Sequence, residues 1–321
     1  MSSLRIGIAL GSGSARGWAH IGVMHALQEL GIEPDVIAGS SIGAVVGAAC
    51  ASGHLDELEA WIGTLDRMDV IRLLDARLTG GGFIRGDRLM ANLRKRVEDV
   101  PMGALPRRFG AVATELNTGR EIWLREGSLI DAVRASIALP GLFTPAPWNG
   151  GWLLDGGLVN PVPISLCRAM GADVVIAVNL NGDLVSLQRS RQARIQPEDQ
   201  AAEQDAGALA DADPSVLQRL MDSLHLSRSV RLEALMSSLR GADDDKEPQA
   251  PGLFDVLAGS INIIQDRLTR SRMAGDPPDI MISPRLSHIH LMDFHRAREA
   301  IQGGYDAVAP HARELKMLRE S

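Results

Sequence analysis

Three short stretches carry residue types that can do chemistry together. Gly39-Ser40-Ser41-Ile42-Gly43 is a G-x-S-x-G pentapeptide, whose serine becomes a nucleophile once a base takes its hydroxyl proton. Gly11-Ser12-Gly13-Ser14-Ala15-Arg16-Gly17 is a glycine loop with backbone amides free to meet an anion. It reads either as a phosphate cradle or as an oxyanion hole. The dinucleotide fingerprint G-x-G-x-x-G fails because Arg16 holds its last position, and no G-K-[ST] follows, so the phosphate reading loses. The amides of Gly13 and Ser14 fit the tetrahedral oxyanion of an ester or thioester. Arg16 either holds the loop or meets a substrate phosphate; taken alone it reads as a surface arginine. The third stretch, Asp155-Gly156-Gly157, places a carboxylate before two glycines that let the chain turn tightly beside another loop.

The base is the decisive question. The histidines are His20, His25, His54, His225, His288, His290, His295 and His311, and none sits in a Gly-rich turn at a strand end. Asp155 is the better partner for Ser41. An α/β-hydrolase places several strands before its elbow and a histidine late, whereas only 40 residues precede Ser41 here. His288 and His290 stand at alternate spacing without a Glu or Cys pattern around them, so no metal site and no cofactor are predicted.

Positioning these groups takes a particular set of elements. Leu4 to Leu10 reads as an apolar strand entering the glycine loop, followed by a helix from about Trp18 to Leu30 that Gly31 stops. Val36 to Ala38 is a strand leading into the pentapeptide, and a small-residue helix follows: the strand, turn, helix context of a nucleophile elbow. Gly39 and Gly43 let that turn be sharp and a neighbour come close. Right-handed crossovers then put both loops at the carboxyl ends of adjacent parallel strands. Further helices are expected over Leu55 to Leu65 and Gly86 to Val97, with Thr79 to Phe83 a flexible loop. Phe109 to Thr114 and Glu121 to Leu124 read as a hairpin, Leu129 to Ile137 as a helix, and Pro145 to Gly151 as loop. Trp152 to Leu154 is a strand opening into Asp155-Gly156-Gly157, a helix starts within Asn160-Pro161-Val162-Pro163 and reaches Met170, and Val174 to Val178 is a central parallel strand.

Composition changes from about Asn181 to Pro251, where Gln, Ser, Ala and acidic residues dominate. This reads as a variable insertion, partly disordered, holding one helix capped by Asp213-Pro214 with the stripe Val216, Leu217, Leu220, Met221 and Leu224. That stripe packs on a core or acts as a lid or lipid-surface element. A helix to about Met273, a strand at Ile280 to Ile282 and a final helix capped by Asp293 complete the chain. The domain reading is therefore 4–180 catalytic, 181–251 insertion and 252–321 packing back on the main domain.

A net charge of −7 over 321 residues, with Lys and Arg scattered, gives no basic field for nucleic acid. Cys50 and Cys167 form neither a disulfide framework nor a C-x-x-C pair, which suits a reducing cytoplasm. No secretory signal is predicted at Met1 to Arg5, and the uncharged run from Val36 to Gly53 is better read as the buried elbow than as a membrane span.

Taken in order, G-x-G-x-x-R-G, G-x-S-x-G and D-G-G resemble the patatin-like phospholipase family over about Ile6 to Val178. The runs Arg16 to Val23 and Met273 to Ile280 are similar to its bacterial cytoplasmic RssA-type branch. The resemblance implies a single three-layer α/β/α domain with a mainly parallel sheet and a helical insertion. It also implies a Ser-Asp dyad without histidine at Ser41 and Asp155, oxyanion amides at Gly13 and Ser14, and hydrolysis of lipid acyl esters. Family loops are often richer in glycine than Ser12 and Ser14 allow; a backbone donor survives such a change if its φ is negative. The alternatives are a regulatory or scaffolding protein on this fold with little turnover, or an acyltransferase. The expected partner is a lipid or other acyl-ester substrate, with peripheral contact at a membrane surface.

Overall fold

Alternation along β1 (Ile6–Leu10) builds the sheet from its centre. Ile8 and Leu10 enter one apolar cluster, and Ala9 between them enters another. The two parallel neighbours, β2 (Val36–Ser40) and β7 (Val174–Val178), repeat this: Ile37, Ile176 and Val178 face the first cluster, and Val36, Ala38, Val175 and Ala177 the second. A strand buried on both faces needs apolar residues at consecutive positions, which is why these runs carry no polar alternation.

The computed structural model describes residues 4–73, 86–183 and 253–320. Within them, β3 (Arg108–Glu115), β4 (Glu121–Leu124), β5 (Ala146–Trp148), β6 (Gly151–Asp155) and β8 (Ile280–Ile282) complete an eight-stranded sheet of order β5-β6-β3-β2-β1-β7-β8, with β4 paired to β3. The contacts β3-β2-β1-β7-β8 are parallel, and β4, β5 and β6 join antiparallel. The helices are α1 (Ala19–Glu29), α2 (Ile42–Ser52), α3 (Leu55–Ile62), α4 (Arg67–Leu73), α5 (Asp87–Arg94), α6 (Leu129–Ser136), α7 (Ile164–Ala169), α8 (Leu253–Gly275), α9 (Ala297–Asp306) and α10 (Ala312–Glu320). Buried residues of α1, α2, α3, α5, α6 and α9 share the first cluster, and α7 with Met273 of α8 packs on the second, so the fold is a three-layer α/β/α sandwich. Among the described residues no helix is long and apolar enough to cross a membrane.

Several local expectations shift for physical reasons. The stretch expected as loop before Trp152 is a hairpin: Asn149 (φ 44°) and Gly150 (φ 78°) both take positive φ, the requirement of a tight type I′ turn between β5 and β6. The helix expected from Asn160 begins only at Ile164: a proline disfavours helical backbone at the residue before it, which applies to Asn160 and Val162, and Pro163 itself takes a non-helical ψ of 58°. The single C-terminal helix is two, since Pro310 sits in a 3₁₀ turn (Ala309–His311) between α9 and α10. Helix α4 was not expected at all. The Thr79 to Phe83 loop, and the insertion with its Asp213 cap and its stripe from Val216 to Leu224, lie outside the described residues.

Candidate active site

Ser41 stands at the sharp turn between β2 and α2, with φ 57° and ψ −124°. A non-glycine residue at positive φ costs about 1–3 kcal/mol and persists only where its surroundings enforce it. Two features do so here. The Ser41 amide donates to Ser136 Oγ at 2.9 Å, at the buried end of α6. Gly39 also lets β2 and α2 close on each other, since a Cβ there would meet the Ala44 backbone, and Gly43 lets α2 approach the end of β1, since a Cβ there would run into the Leu10 carbonyl. The turn therefore presents the hydroxyl at the carboxyl end of the parallel sheet, in front of the α2 N-terminus.

Asp155 closes β6, where antiparallel pairing with β3 brings it beside the elbow, Ala113 opposite Asp155. Ser41 Oγ donates to Asp155 Oδ2 at 2.6 Å. Its other oxygen, Oδ1, accepts from the Gly157 amide at 2.7 Å, so the Gly156-Gly157 turn orients the carboxylate. Thr114 Oγ1 fixes the Asp155 backbone carbonyl at 2.7 Å. The side chain is fully buried. Burial pushes its pKa up from 3.8 to about 7, while the bonds from Ser41 and Gly157 pull the other way. A carboxylate poised near neutrality against a serine hydroxyl is suited to general-base work.

The glycine loop is held on nearly every side. Gly11 donates to Val178 O at 3.1 Å, Ser12 to Pro161 O at 2.8 Å, Ala15 to Leu291 O at 3.2 Å and Arg16 to Gly13 O at 3.2 Å. Among the described residues, the Gly13 and Ser14 amides have no hydrogen-bond partner. Ser14 corrects one expectation: its φ is +49°, so serine occupies a conformation that favours glycine, and the donor exists at a conformational cost. Gly17 packs against the Ile42 side chain.

Arg16 is not a surface residue. It is 2% exposed, with Nε donating to Gly13 O at 3.2 Å and an Nη to Asn262 Oδ1 at 3.0 Å, so its contacts fit holding the loop and not a substrate phosphate. Desolvation lowers its pKa to about 10, which still leaves it charged at neutral pH. His20 is fully buried and its Nε2 lies 2.7 Å from Gly11 O; burial lowers its pKa to about 4, so it supports the loop as a neutral ring. His288 pairs with Glu299 at 2.7 Å and His290 with Asp293 at 3.2 Å. None of the described histidines bonds to Ser41 or Asp155. Elsewhere, His25 of α1 pairs with Glu59 of α3 at 2.6 Å, near Asp56.

An almost wholly apolar pocket of about 800 Å³, including its open mouth, starts at Ser14 and Ser41 and is walled by Trp18, Val45, Trp61, Leu93 and Phe143. Sequence reasoning had no signal for it, because its wall comes from separate helices and loops. The arrangement brings together a serine hydroxyl bonded to a buried carboxylate, two amides without a partner among the described residues and an apolar pocket, a set of groups suited to acyl transfer.

Residues 8–168 match the patatin-like phospholipase family model. An uncharacterised NTE family protein of Mycobacterium tuberculosis is 38% identical over 324 residues, covering 94% of this chain and 90% of its own. The human patatin-like phospholipase domain-containing protein 6 is 34% identical over 188 residues, which are 54% of this chain and 13% of that protein. Among solved structures, VipD from Legionella pneumophila aligns over 98% of this chain and 67% of its own, at 16% identity and a TM-score of 0.44.

Proposed function

The chain belongs to the patatin-like phospholipase family, and from that premise we propose that it is a lipid acyl hydrolase working through Ser41 and Asp155. The observation that carries this reading is the 2.6 Å bond from Ser41 Oγ to a fully buried Asp155 carboxylate, with no histidine between them. Asp155 takes the Ser41 proton as Oγ attacks the acyl carbonyl. The tetrahedral oxyanion is met by the Gly13 and Ser14 amides. On collapse, the C–O bond to the alcohol breaks and the alcohol leaves with the proton held by Asp155. Water then attacks the acyl-Ser41 ester, giving up a proton to Asp155, and the acid is released as that proton returns to Ser41.

The substrate end of the reading rests on the pocket. Its lining offers an alkyl chain apolar walls and offers a head group nothing, so the acyl chain enters the protein and the alcohol portion faces out. Contact with lipid is peripheral in this reading. The buried free thiols of Cys50 and Cys167 support a cytoplasmic, reducing setting. Within the family, the runs Arg16 to Val23 and Met273 to Ile280 support the RssA-type branch, while the mycobacterial relative carries the NTE name.

The test is turnover of p-nitrophenyl esters and phosphatidylcholine vesicles by wild type and Ser41→Ala. Turnover that disappears with the hydroxyl, at an unchanged melting temperature, supports the reading. Equal turnover by both proteins, or none by wild type, overturns it.

A further inference from the structure

The two amides assigned to the oxyanion are aimed from behind. In a trans peptide the N–H of one residue and the C=O of the residue before it share a plane and point in opposite directions. Whatever holds the Ser12 carbonyl therefore aims the Gly13 amide, and whatever holds the Gly13 carbonyl aims the Ser14 amide. Both carbonyls are held, and by separate relays. Ser12 O accepts from Asn181 Nδ2 at 3.4 Å, and the same amide nitrogen donates to Gln265 Oε1 at 3.2 Å. Gly13 O accepts from both the Arg16 amide and Arg16 Nε, each at 3.2 Å, and the guanidinium donates at its other end to Asn262 Oδ1 at 3.0 Å. Asn181, Arg16 and Gln265 are all at most 5% exposed.

The two relays converge. Asn262 and Gln265 are three residues apart on α8, hence on one face of that helix. Neither touches the pocket, and neither belongs to a motif of the chain's first half. We propose that Asn262 and Gln265 are positioning residues for the reaction, and that α8 is the back wall of the oxyanion hole, setting the direction of both donors through Arg16 and Asn181. This rests on the acyl-transfer reading above. The charged guanidinium behind the Gly13 carbonyl also polarises that peptide and strengthens the Ser14 N–H as a donor. Asn262 supplies the acceptor that keeps the guanidinium in place, while Asn181 stands between the loop and Gln265. Without α8, Ser14 at its strained φ would lose one of the constraints that hold it there.

The experiment compares wild type with Asn262→Ala, Gln265→Ala, Asn262→Asp and Asn262→Leu on a short p-nitrophenyl ester, measuring kcat, KM and melting temperature. Complete loss of an oxyanion donor costs about 10²–10³ in kcat, and a misaimed one a part of that, so each alanine variant is expected to lose about tenfold or more in kcat with KM within about twofold. Asn262→Asp keeps an acceptor for Arg16 and recovers most of the loss; Asn262→Leu keeps the volume without the acceptor and does not. Should Asn262→Ala fail to fold, the Asp and Leu pair carries the same contrast. An unchanged kcat in Asn262→Ala or Asn262→Leu overturns the proposal. So does a loss in both Asp and Leu that follows melting temperature, since that is the mark of a packing role alone. Wild type that turns over no ester overturns the acyl-transfer reading and this inference with it, whereas an active wild type with indifferent variants overturns the inference alone.

Discussion

Replacing Asp155 by asparagine should destroy activity and make the protein more stable above neutral pH. The carboxylate is fully buried, and its pKa rises from 3.8 in an exposed setting to about 7 in the fold. The folded state thus binds a proton that the unfolded chain has lost between those values, so the contribution of Asp155 to stability is greatest below about pH 4 and is lost as pH rises through about 7. At about 1.4 kcal/mol per pH decade, keeping this group ionised costs the fold up to roughly 4 kcal/mol at pH 8. Asparagine keeps the geometry: its oxygen accepts from the Gly157 amide as Oδ1 does now, and its amide donates to Ser41 Oγ across the present 2.6 Å contact. Removing the charge should therefore stabilise the protein by up to roughly 4 kcal/mol at pH 8, with the gain shrinking towards zero near pH 4. Urea unfolding of both proteins at several pH values reads this directly. An Asp155→Asn protein that is no more stable than wild type at pH 8, or a difference that does not vary with pH, would show that the Asp155 charge costs the fold nothing.

Other consequences follow from the same geometry. Since Asp155 must be unprotonated to accept the Ser41 proton, kcat/KM should climb with pH through about 7 and level off above it; a flat profile from pH 5 to 9 would count against a carboxylate base. Ser14→Gly removes a Cβ from φ +49°, relieving about 1–2 kcal/mol of strain against about 0.5–1 kcal/mol of added chain entropy, so melting temperature should hold or rise slightly and turnover should survive. A tenfold fall in kcat would instead give the Ser14 hydroxyl a role of its own. Val45→Phe narrows the pocket and should lower the ratio of dodecanoate to butyrate ester turnover by about tenfold or more, given about 0.8 kcal/mol for each methylene kept from burial. An unchanged ratio would place the acyl chain elsewhere.

What the sequence makes legible here is local. The elbow can be read because strand, G-x-S-x-G and small-residue helix are contiguous, and the parallel centre can be read because β1, β2 and β7 are apolar at consecutive positions. The meeting of Ser41 with Asp155, 114 residues apart, is reachable through the order of motifs, although the contact itself depends on β6 pairing with β3. The Asn149-Gly150 pair carries a hairpin signal of its own within the stretch that reads as loop, and Pro147 is tolerated in β5 because that strand lies at the sheet edge. Arg16 could not be read as buried, since an arginine is buried only where partners satisfy it, and its partner Asn262 is 246 residues away. Nor does any pattern announce Asn181 or Gln265: single amides gain their role from the peptide planes they hold, which exist only in the folded chain. The sign of φ at Ser14 belongs to the same class.

A nucleophilic Ser41 reacts with a fluorophosphonate, which forms a phosphorus–oxygen bond to an activated serine as fluoride leaves, and the adduct on the purified protein is mapped by mass spectrometry. One stoichiometric adduct on Ser41 is expected, absent from Ser41→Ala and formed much more slowly by Asp155→Asn. An adduct on another serine, or ester turnover in a protein whose Ser41 stays unmodified, would contradict it.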